Sequence, residues 1–394
     1  MNVKMATSEK VPGFADTILE QGGDISSKLD MLRQEKFPPN AQKSLRQFSL
    51  AEVADFVGVS QSYLKKLHLQ GKGVQPTTTS TGRRYYTADQ MNDLRALLDR
   101  VPHRKENERL QVIAVVNFKG GSGKTTTSAH LAQYLALRGY RVLAVDLDPQ
   151  ASLTALYGIQ PELDEKASLY ETLRYDDERK SITEIIQPTN IPNLDIVPAN
   201  LELQEYEYET PIAMQRKDNA GKLFYTRIGD SLAEVDDHYD VVVIDCPPQL
   251  GYLTLTALTA ATSVLITVHP QMLDIMSMSQ FLLMLGNILK SVEAVGVNVS
   301  LDWFRYLVTR YEPGDIPQQQ MVGFMASMFA QQMMRNHMVK STAISDAGLT
   351  KQTLYEVERS QFTSSTYDRA RESMDAVNAE VIELIHKAWG RKNG

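Results

Sequence analysis

From residue 108 onward, short apolar runs alternate with stretches of helical spacing. The runs are Val112–Val116, Val142–Val145, Leu194–Val197, Val241–Ile244, Val264–Val268 and Tyr306–Val308. A strand with one wet face alternates apolar and polar residues, whereas a run that is apolar throughout is buried on both faces. The pattern predicts an α/β fold, a mostly parallel twisted sheet with helices on both faces. The segment after the first run, Thr125–Arg138, has helical spacing and stops at Gly139.

The preceding part of the chain reads differently. Ser49-Leu50-Ala51-Glu52 forms a capping box that opens a short helix with Leu50, Val53 and Ala54 inward. Gly58 supplies a tight turn, and Ser60 caps a second helix, Gln61–Leu69, with Tyr63, Leu64 and Leu67 packing back. Two short helices about a glycine turn predict a helix-turn-helix. Residues 71–86, ending Gly82-Arg83-Arg84-Tyr85-Tyr86, read as a β-hairpin wing, and Thr87-Ala88-Asp89-Gln90 caps a further helix through Asp99. Val101–Glu106 is a charged linker. Residues 1–44 look like a helical arm, with Ile18, Leu19, Ile25, Leu29 and Leu32 grouped around Gly22-Gly23 and a break at Phe37-Pro38-Pro39-Asn40. An arm of this kind cannot bury its apolar side alone, so it either packs on the next domain or pairs with another chain, and pairing is the preferred of the two. The predicted divisions are therefore 1–44, 45–107 and 108–394, more than one ordinary core for 394 residues.

Charge adds one point. The net charge of −7 argues against a protein that coats nucleic acid with its whole surface. Residues 41–107, however, hold 11 Lys/Arg against 6 Asp/Glu. A compact basic segment on an acidic chain points to a dedicated nucleic-acid module. DNA contacts are expected from Gln61, Ser62, Lys65 and Lys66 on the second helix and from Arg83 and Arg84 on the wing. The single cysteine, Cys246, excludes an intrachain disulfide and a cysteine-clamped metal or cluster within one chain. With no apolar leader at the start, and threonines and a serine breaking the long apolar region Tyr252–Val268, the expectation is a cytoplasmic chain without a membrane span.

The chemistry lies at the ends of the apolar runs. Residues 119–126 read Lys-Gly-Gly-Ser-Gly-Lys-Thr-Thr between the first strand and its helix. In such a loop Gly120, Gly121, Ser122 and Gly123 turn backbone N–H groups toward phosphate oxygens, and the helix N-terminus faces the anion. Lys124 is placed to reach the β- and γ-phosphates, and the Thr125 hydroxyl to bind Mg²⁺, with Thr126 following. Where the ordinary phosphate loop begins with glycine, Phe118 stands instead, and Lys119 precedes the double glycine. Val142–Val145 runs into Asp146-Leu147-Asp148-Pro149, two acids on one side of a strand end. Two acids beside a triphosphate repel unless each has separate work. Val241–Ile244 ends in Asp245-Cys246-Pro247-Pro248.

The pattern Lys-Gly-Gly-x-Gly-Lys-Thr-Thr resembles the deviant Walker A motif of the ParA/MinD ATPase superfamily. The segments at 142–150 and 241–255 resemble the same family's A′ and Walker B regions. The arm and helix-turn-helix narrow the resemblance to the large plasmid-partition ParA proteins, especially the RepA proteins of RepABC-type replicons. That resemblance implies ATP and Mg²⁺ as cofactors. It implies that Lys119 crosses a homodimer interface to the partner's nucleotide, that Asp148 polarises the hydrolytic water, and that Asp146 and Asp245 support the metal shell. It further implies nonspecific DNA binding through late basic residues such as Arg335 and Lys340, a ParB/RepB-type centromere-binding partner that stimulates slow turnover, nucleoid association, and autorepression through the helix-turn-helix.

Two rivals stay open. One is a nucleotide-sensing transcriptional repressor without a motor-like cycle. The other is a MinD-type membrane-associated ATPase, raised by the amphipathic end of Val377, Val381, Ile382, Ile385 and Trp389 with Lys387, Arg391 and Lys392. A closing helix packed on the sheet is the preferred reading of that end.

Overall fold

The computed structural model describes residues 13–36, 43–159, 168–216, 223–294, 296 and 299–391. The expected break at Phe37–Asn40, and Lys392, lie outside the described residues. The chain divides into two units, Met1–Ser44 and Leu45–Gly394. In the first, helix α1 (Phe14–Lys36) runs as one piece through Gly22 and Gly23, where the sequence had suggested separate segments. Phe14, Ile18, Leu19, Ile25 and Met31 are exposed on it.

The second unit opens with the helix-turn-helix. Strand β1 (Phe48–Ser49) leads into α2 (Leu50–Val57), whose capping box is made: Ser49 Oγ accepts from the Glu52 amide and the Glu52 carboxylate accepts from the Ser49 amide. Gly58 adopts φ +75°, the left-handed turn that joins α2 to α3 (Gln61–Leu69). Leu64 and Leu67 are buried, but Tyr63 is 42% exposed and does not pack back. With Leu64 and Leu67 filling the contact with α2, position 63 falls on the outer face of this short helix. Strands β2 (Thr77–Thr78) and β3 (Arg84–Tyr86) make the wing, and β3 also pairs antiparallel with β1. Helix α4 (Ala88–Leu97) follows from its own capping box at Thr87.

The remainder is a seven-stranded sheet. Strand β4 (Gln111–Val116) runs into the glycine loop and α5 (Lys124–Leu137). After β5 (Val142–Asp146) come α6 (Ser152–Leu156) and α7 (Leu169–Leu173), then the short β6 (Gln187–Pro188) and β7 (Leu194–Val197). Helices α8 (Glu205–Met214) and α9 (Arg227–Ala233) precede β8 (Val241–Asp245), α10 (Tyr252–Ala260), β9 (Ser263–Val268) and α11 (Met272–Ala294). Strand β10 (Trp303–Val308) and helices α12 (Ile316–Phe329), α13 (Thr342–Leu349) and α14 (Ser364–Ala388) complete the unit. The strand order is β10-β9-β4-β8-β5-β7-β6, parallel except for the β6–β7 pair. Because β4 sits between β9 and β8, the loop after it opens at the centre of the sheet's carboxyl edge, where ligands bind in doubly wound folds.

Two features position the site. Strands β4, β5, β8 and β9 are buried throughout, so their carboxyl ends cannot shift without disturbing packed layers on both faces. The helix-turn-helix is also fused to α5 by one continuous apolar core that includes Phe48, Phe56, Leu131 and Tyr134. Arg95 of α4 is buried at that seam and donates to the Leu137 carbonyl at the end of α5. Gly139 sits at φ +99°, and a Cβ there would lie 2.8 Å from Arg95 Cδ. The C-terminal α14 buries Val377, Val381, Ile385 and Trp389 in the same core, as the closing-helix reading expected. Among the described residues one helix, α11, is long and apolar enough to cross a membrane, with mean hydropathy 1.4; it is the crossover between β9 and β10. It was not the apolar stretch singled out from the sequence.

Candidate nucleotide site

The glycine loop folds around a cavity of 460 Å³ lined by Gly120 to Thr126, Asp148, Pro248, Thr309 and Ser341, among others. Gly121 and Gly123 hold φ of +75° and +85°, the left-handed region that lets amides converge. Lys124 is only 6% exposed. Burial pulls its ammonium below the usual lysine range, while the neighbouring Asp245 acts the other way. Its Nζ donates to the Lys119 carbonyl at 3.4 Å, a long contact for a buried ammonium. A cation kept dry with so little hydrogen bonding is poised for an anionic ligand.

Behind the loop stand the two strand-end acids. Asp146 and Asp245 are directly opposed across the β5–β8 pair, and both are fully buried. Burial raises both carboxyls above the usual range, and for Asp146 the nearby Asp245 charge adds to the rise. Their partners differ. Asp146 accepts from the Thr154 amide at 2.8 Å, the Thr154 hydroxyl at 2.7 Å and the Asp148 amide at 3.2 Å. It thereby pins the loop that carries Asp148. Asp245 accepts from Ser128 Oγ at 3.0 Å, and the nearby Thr125 hydroxyl works against the rise of its carboxyl, yet its Oδ2 is buried with no hydrogen-bond partner. An orphaned carboxylate oxygen beside a threonine hydroxyl at a phosphate loop suits the outer shell of a hydrated Mg²⁺. No group of three or more His, Cys, Asp or Glu able to hold a metal occurs among the described residues, so the phosphates themselves would supply part of the shell. Asp148 faces the cavity, with Oδ1 accepting from the Gln150 amide at 3.0 Å. Cys246 is a buried thiol, raised by burial, with no polar role apparent.

Several residues here carry no recognisable motif. Thr309 Oγ1 donates to the Ser122 carbonyl at 2.7 Å, and Arg310, at φ +52°, donates from Nη1 to the Gly121 carbonyl at 3.0 Å. Both clamp the loop from the end of β10. Glu207 of α8 accepts from the Tyr252 and Leu253 amides at 2.9 Å each, capping α10 directly after the Pro247-Pro248 loop. These contacts join segments 45 to 189 residues apart, so spacing gives no sign of them. Lys119 does not enter the cavity; its Nζ pairs with Asp274 Oδ1 at 2.9 Å.

The proposed DNA contacts lie elsewhere. Gln61, Ser62, Lys65, Lys66 and Arg83 are exposed on α3 and the wing, and Arg84 is half-buried. Lys65, Arg83 and Arg84 line one cavity of 430 Å³ together with Ser49 and Leu50. The late candidates differ from these. Arg335 pairs with Glu383 and, at 3.5 Å, with Glu380. Lys340 pairs with Glu312 at 2.9 Å and lines the nucleotide cavity.

Comparison with known proteins agrees with this geometry. An AAA domain family model matches residues 110–298, and the MerR HTH family regulatory protein model matches residues 48–98. A Sinorhizobium fredii protein carrying the name replication protein A is 69% identical over 96% of both chains. SopA of Escherichia coli K12 is 32% identical over 74% of this chain and 76% of its own. Among solved structures, one described as a partition protein superposes with TM-score 0.66 over 95% of this chain and 99% of its own, at 20% identity, a likeness of fold alone. A cobyrinic acid a,c-diamide synthase from Mycobacterium smegmatis, solved with an ATP analogue and magnesium, has TM-score 0.56 and 25% identity, covering 72% of this chain and 98% of its own. The chain belongs to the ParA/MinD superfamily of P-loop NTPases, as a RepA-like plasmid-partition protein with an N-terminal helix-turn-helix.

Proposed function

We propose that the chain is an Mg²⁺-dependent ATPase that closes into a homodimer on ATP and drives partition of a replicon. The observation that carries this reading is the cavity in which Lys124, Thr125 and Asp148 meet, backed by the partnerless oxygen of Asp245. Lys124 and the loop amides hold the phosphates. Thr125, Asp245 and, more remotely, Asp146 would hold Mg²⁺ and its waters, and the ion, when bound, neutralises charge between phosphate oxygens. Asp148, at the cavity edge, orients the attacking water. Lys119 of each chain reaches the other's phosphates. The ATP dimer binds nonspecific DNA on the nucleoid, in the cytoplasm, and a ParB/RepB-type protein at the centromere stimulates otherwise slow hydrolysis. The helix-turn-helix and wing bind the operator and repress the chain's own operon.

The deciding experiment is ATPase turnover with nonspecific DNA, with and without the centromere-binding protein. Slow basal turnover that rises severalfold only when both are present is the expected result. Turnover indifferent to both would favour the nucleotide-sensing repressor. That second reading draws support from the single core shared by helix-turn-helix and α5, through which a nucleotide could act on operator affinity directly.

A further inference from the structure

Three consecutive residues ahead of the phosphate loop are fastened to β9 and α11. The Asn117 carboxamide accepts from the Lys119 amide at 2.9 Å and donates to the Thr267 carbonyl. The Phe118 ring stacks on Phe281 of α11, with centroids 5.3 Å apart and planes 19° from parallel. Lys119 Nζ pairs with Asp274 Oδ1 at 2.9 Å, in the first turn of the same helix. This accounts for Phe118 standing where an ordinary phosphate loop has glycine: its ring needs α11. The two ends of the ion pair are unlike. The Lys119 side chain is 43% exposed, whereas that of Asp274 is 6% exposed. Asp274 Oδ2 has no hydrogen-bond partner, and His269 Nδ1 lies 3.9 Å from it, beyond hydrogen-bond reach.

We propose that Asp274 is a positioning residue that parks Lys119 inside its own protomer and thereby sets the threshold for dimer closure. The proposal rests on the reading of Lys119 as the residue that crosses to the partner. To cross, Lys119 must leave a carboxylate that is out of water and already lacks a donor on one oxygen. Removing one member of a buried pair strands the other, which is far costlier than breaking an exposed one. Closure must offset that cost, and only a nucleotide that draws Lys119 strongly enough does so. The γ-phosphate is the part of the ligand that ATP has and ADP lacks, so the hold discriminates against closure on ADP.

The test uses the full chain with Asp274→Asn, which keeps side-chain shape and removes the charge. In the nucleotide-free protein, acylation of Lys119 by an N-hydroxysuccinimide ester, read by peptide mass spectrometry, should be several-fold faster in Asp274→Asn than in the parent. An equal rate overturns the hold itself. In the hydrolysis-blocked Asp148→Ala background with Mg²⁺, sedimentation should show Asp274→Asn dimerising at roughly tenfold lower protein concentration on ATP, and measurably on ADP. Unchanged or weaker dimerisation overturns the threshold. Adding Lys119→Ala should erase the difference, which a merely structural role for Asp274 would not do. At protein concentrations too low for dimers, ATP affinity of Asp274→Asn, which is carried by Lys124, should match the parent's and reports that the variant is folded. If the Asp148→Ala parent stays monomeric on ATP, the crossing-lysine reading fails, while the acylation rate still decides whether Asp274 holds Lys119.

Discussion

The phosphate loop and the DNA-reading face use the same side chain in opposite ways. Lys124 is buried beside Asp245, whereas Lys65 and Lys66 stand exposed on α3 with no ion pair among the described residues. A buried cation dictates its surroundings: glycines to turn the amides, a hydroxyl next in the chain, an acid at the end of an adjacent strand. An exposed cation constrains nothing around it and can be exchanged for its neighbour with little loss. The first kind of site therefore leaves an ordered signature in sequence and tolerates no substitution. The second leaves only a local charge excess and should lose function gradually.

The sharpest way to break this contrast is Lys124→Ala. Loss of a desolvated cation facing phosphates should weaken ATP binding about 1,000-fold, read by calorimetric titration. Retention of tight binding would remove the assignment of the loop. Asp148→Ala should leave ATP affinity within about twofold and lower turnover about 100-fold or more, as expected for a residue that orients water but does not grip the ligand. Normal single-turnover hydrolysis by that variant would take Asp148 out of the reaction.

The helix behind the loop gives a pH signature. His130 of α5 is fully buried and donates from Nδ1 to the Thr126 carbonyl at 2.8 Å, while Nε2 accepts from the Leu354 amide at 3.2 Å. Both nitrogens are satisfied only by the neutral ring, and burial lowers its pKa from 6.5 to about 4. The unfolded chain thus binds a proton that the folded chain refuses between those values, so stability falls as pH drops from about 6.5 toward 4. The loss from this residue should approach about 3 kcal/mol at the low end. Denaturant titrations from pH 7.5 to 4.5 on the parent and on His130→Gln should show the steeper decline in the parent; parallel curves would refute the linkage. On the exposed side, Arg83→Ala with Arg84→Ala should weaken operator binding by about 1–3 kcal/mol, with ATPase turnover retained. An unchanged footprint would dismiss the wing.

How much of this could be read from the sequence follows from the same contrast. The sheet, the two capping boxes and the three motifs at strand ends are local patterns, set by periodicity and by the types of residue a phosphate demands. The clamps are not local. Thr309 and Arg310 reach the glycine loop from β10, Glu207 caps α10 from α8, and Asp274 meets Lys119 across β9 and β4; only the folded sheet brings them together. Helix α1 continues through its glycine pair because the cost of glycine in a helix, about 1 kcal/mol each, is too small to break it reliably. Strand β6 has two residues, one of them Pro188, too short for any pattern. Tyr63 shows the limit of periodicity in a nine-residue helix, where three apolar positions compete for a face that two suffice to fill.

The smallest expected effect concerns the late basic residues, Arg335 and Lys340. Both are more than half exposed, as the DNA-facing reading needs, but neither is a free cation. Arg335 is matched by Glu380 and Glu383, and Lys340 by Glu312. A cation that neutralises a neighbouring carboxylate adds little to the field that draws a phosphate backbone, and DNA binding would first have to separate the pair. Arg335→Ala should therefore change nonspecific DNA affinity of the ATP state by no more than about twofold at 0.15 M salt, against a clear loss for the unpaired cations of α3 and the wing on operator DNA. Lys340 has a second attachment that Arg335 lacks, since it lines the nucleotide cavity. Any loss of DNA binding in Lys340→Ala should accordingly be accompanied by weaker ATP binding. A Lys340→Ala variant with normal ATP affinity and a tenfold loss on nonspecific DNA would restore that residue to the DNA-binding face, and would show that paired surface cations can carry binding as freely as unpaired ones.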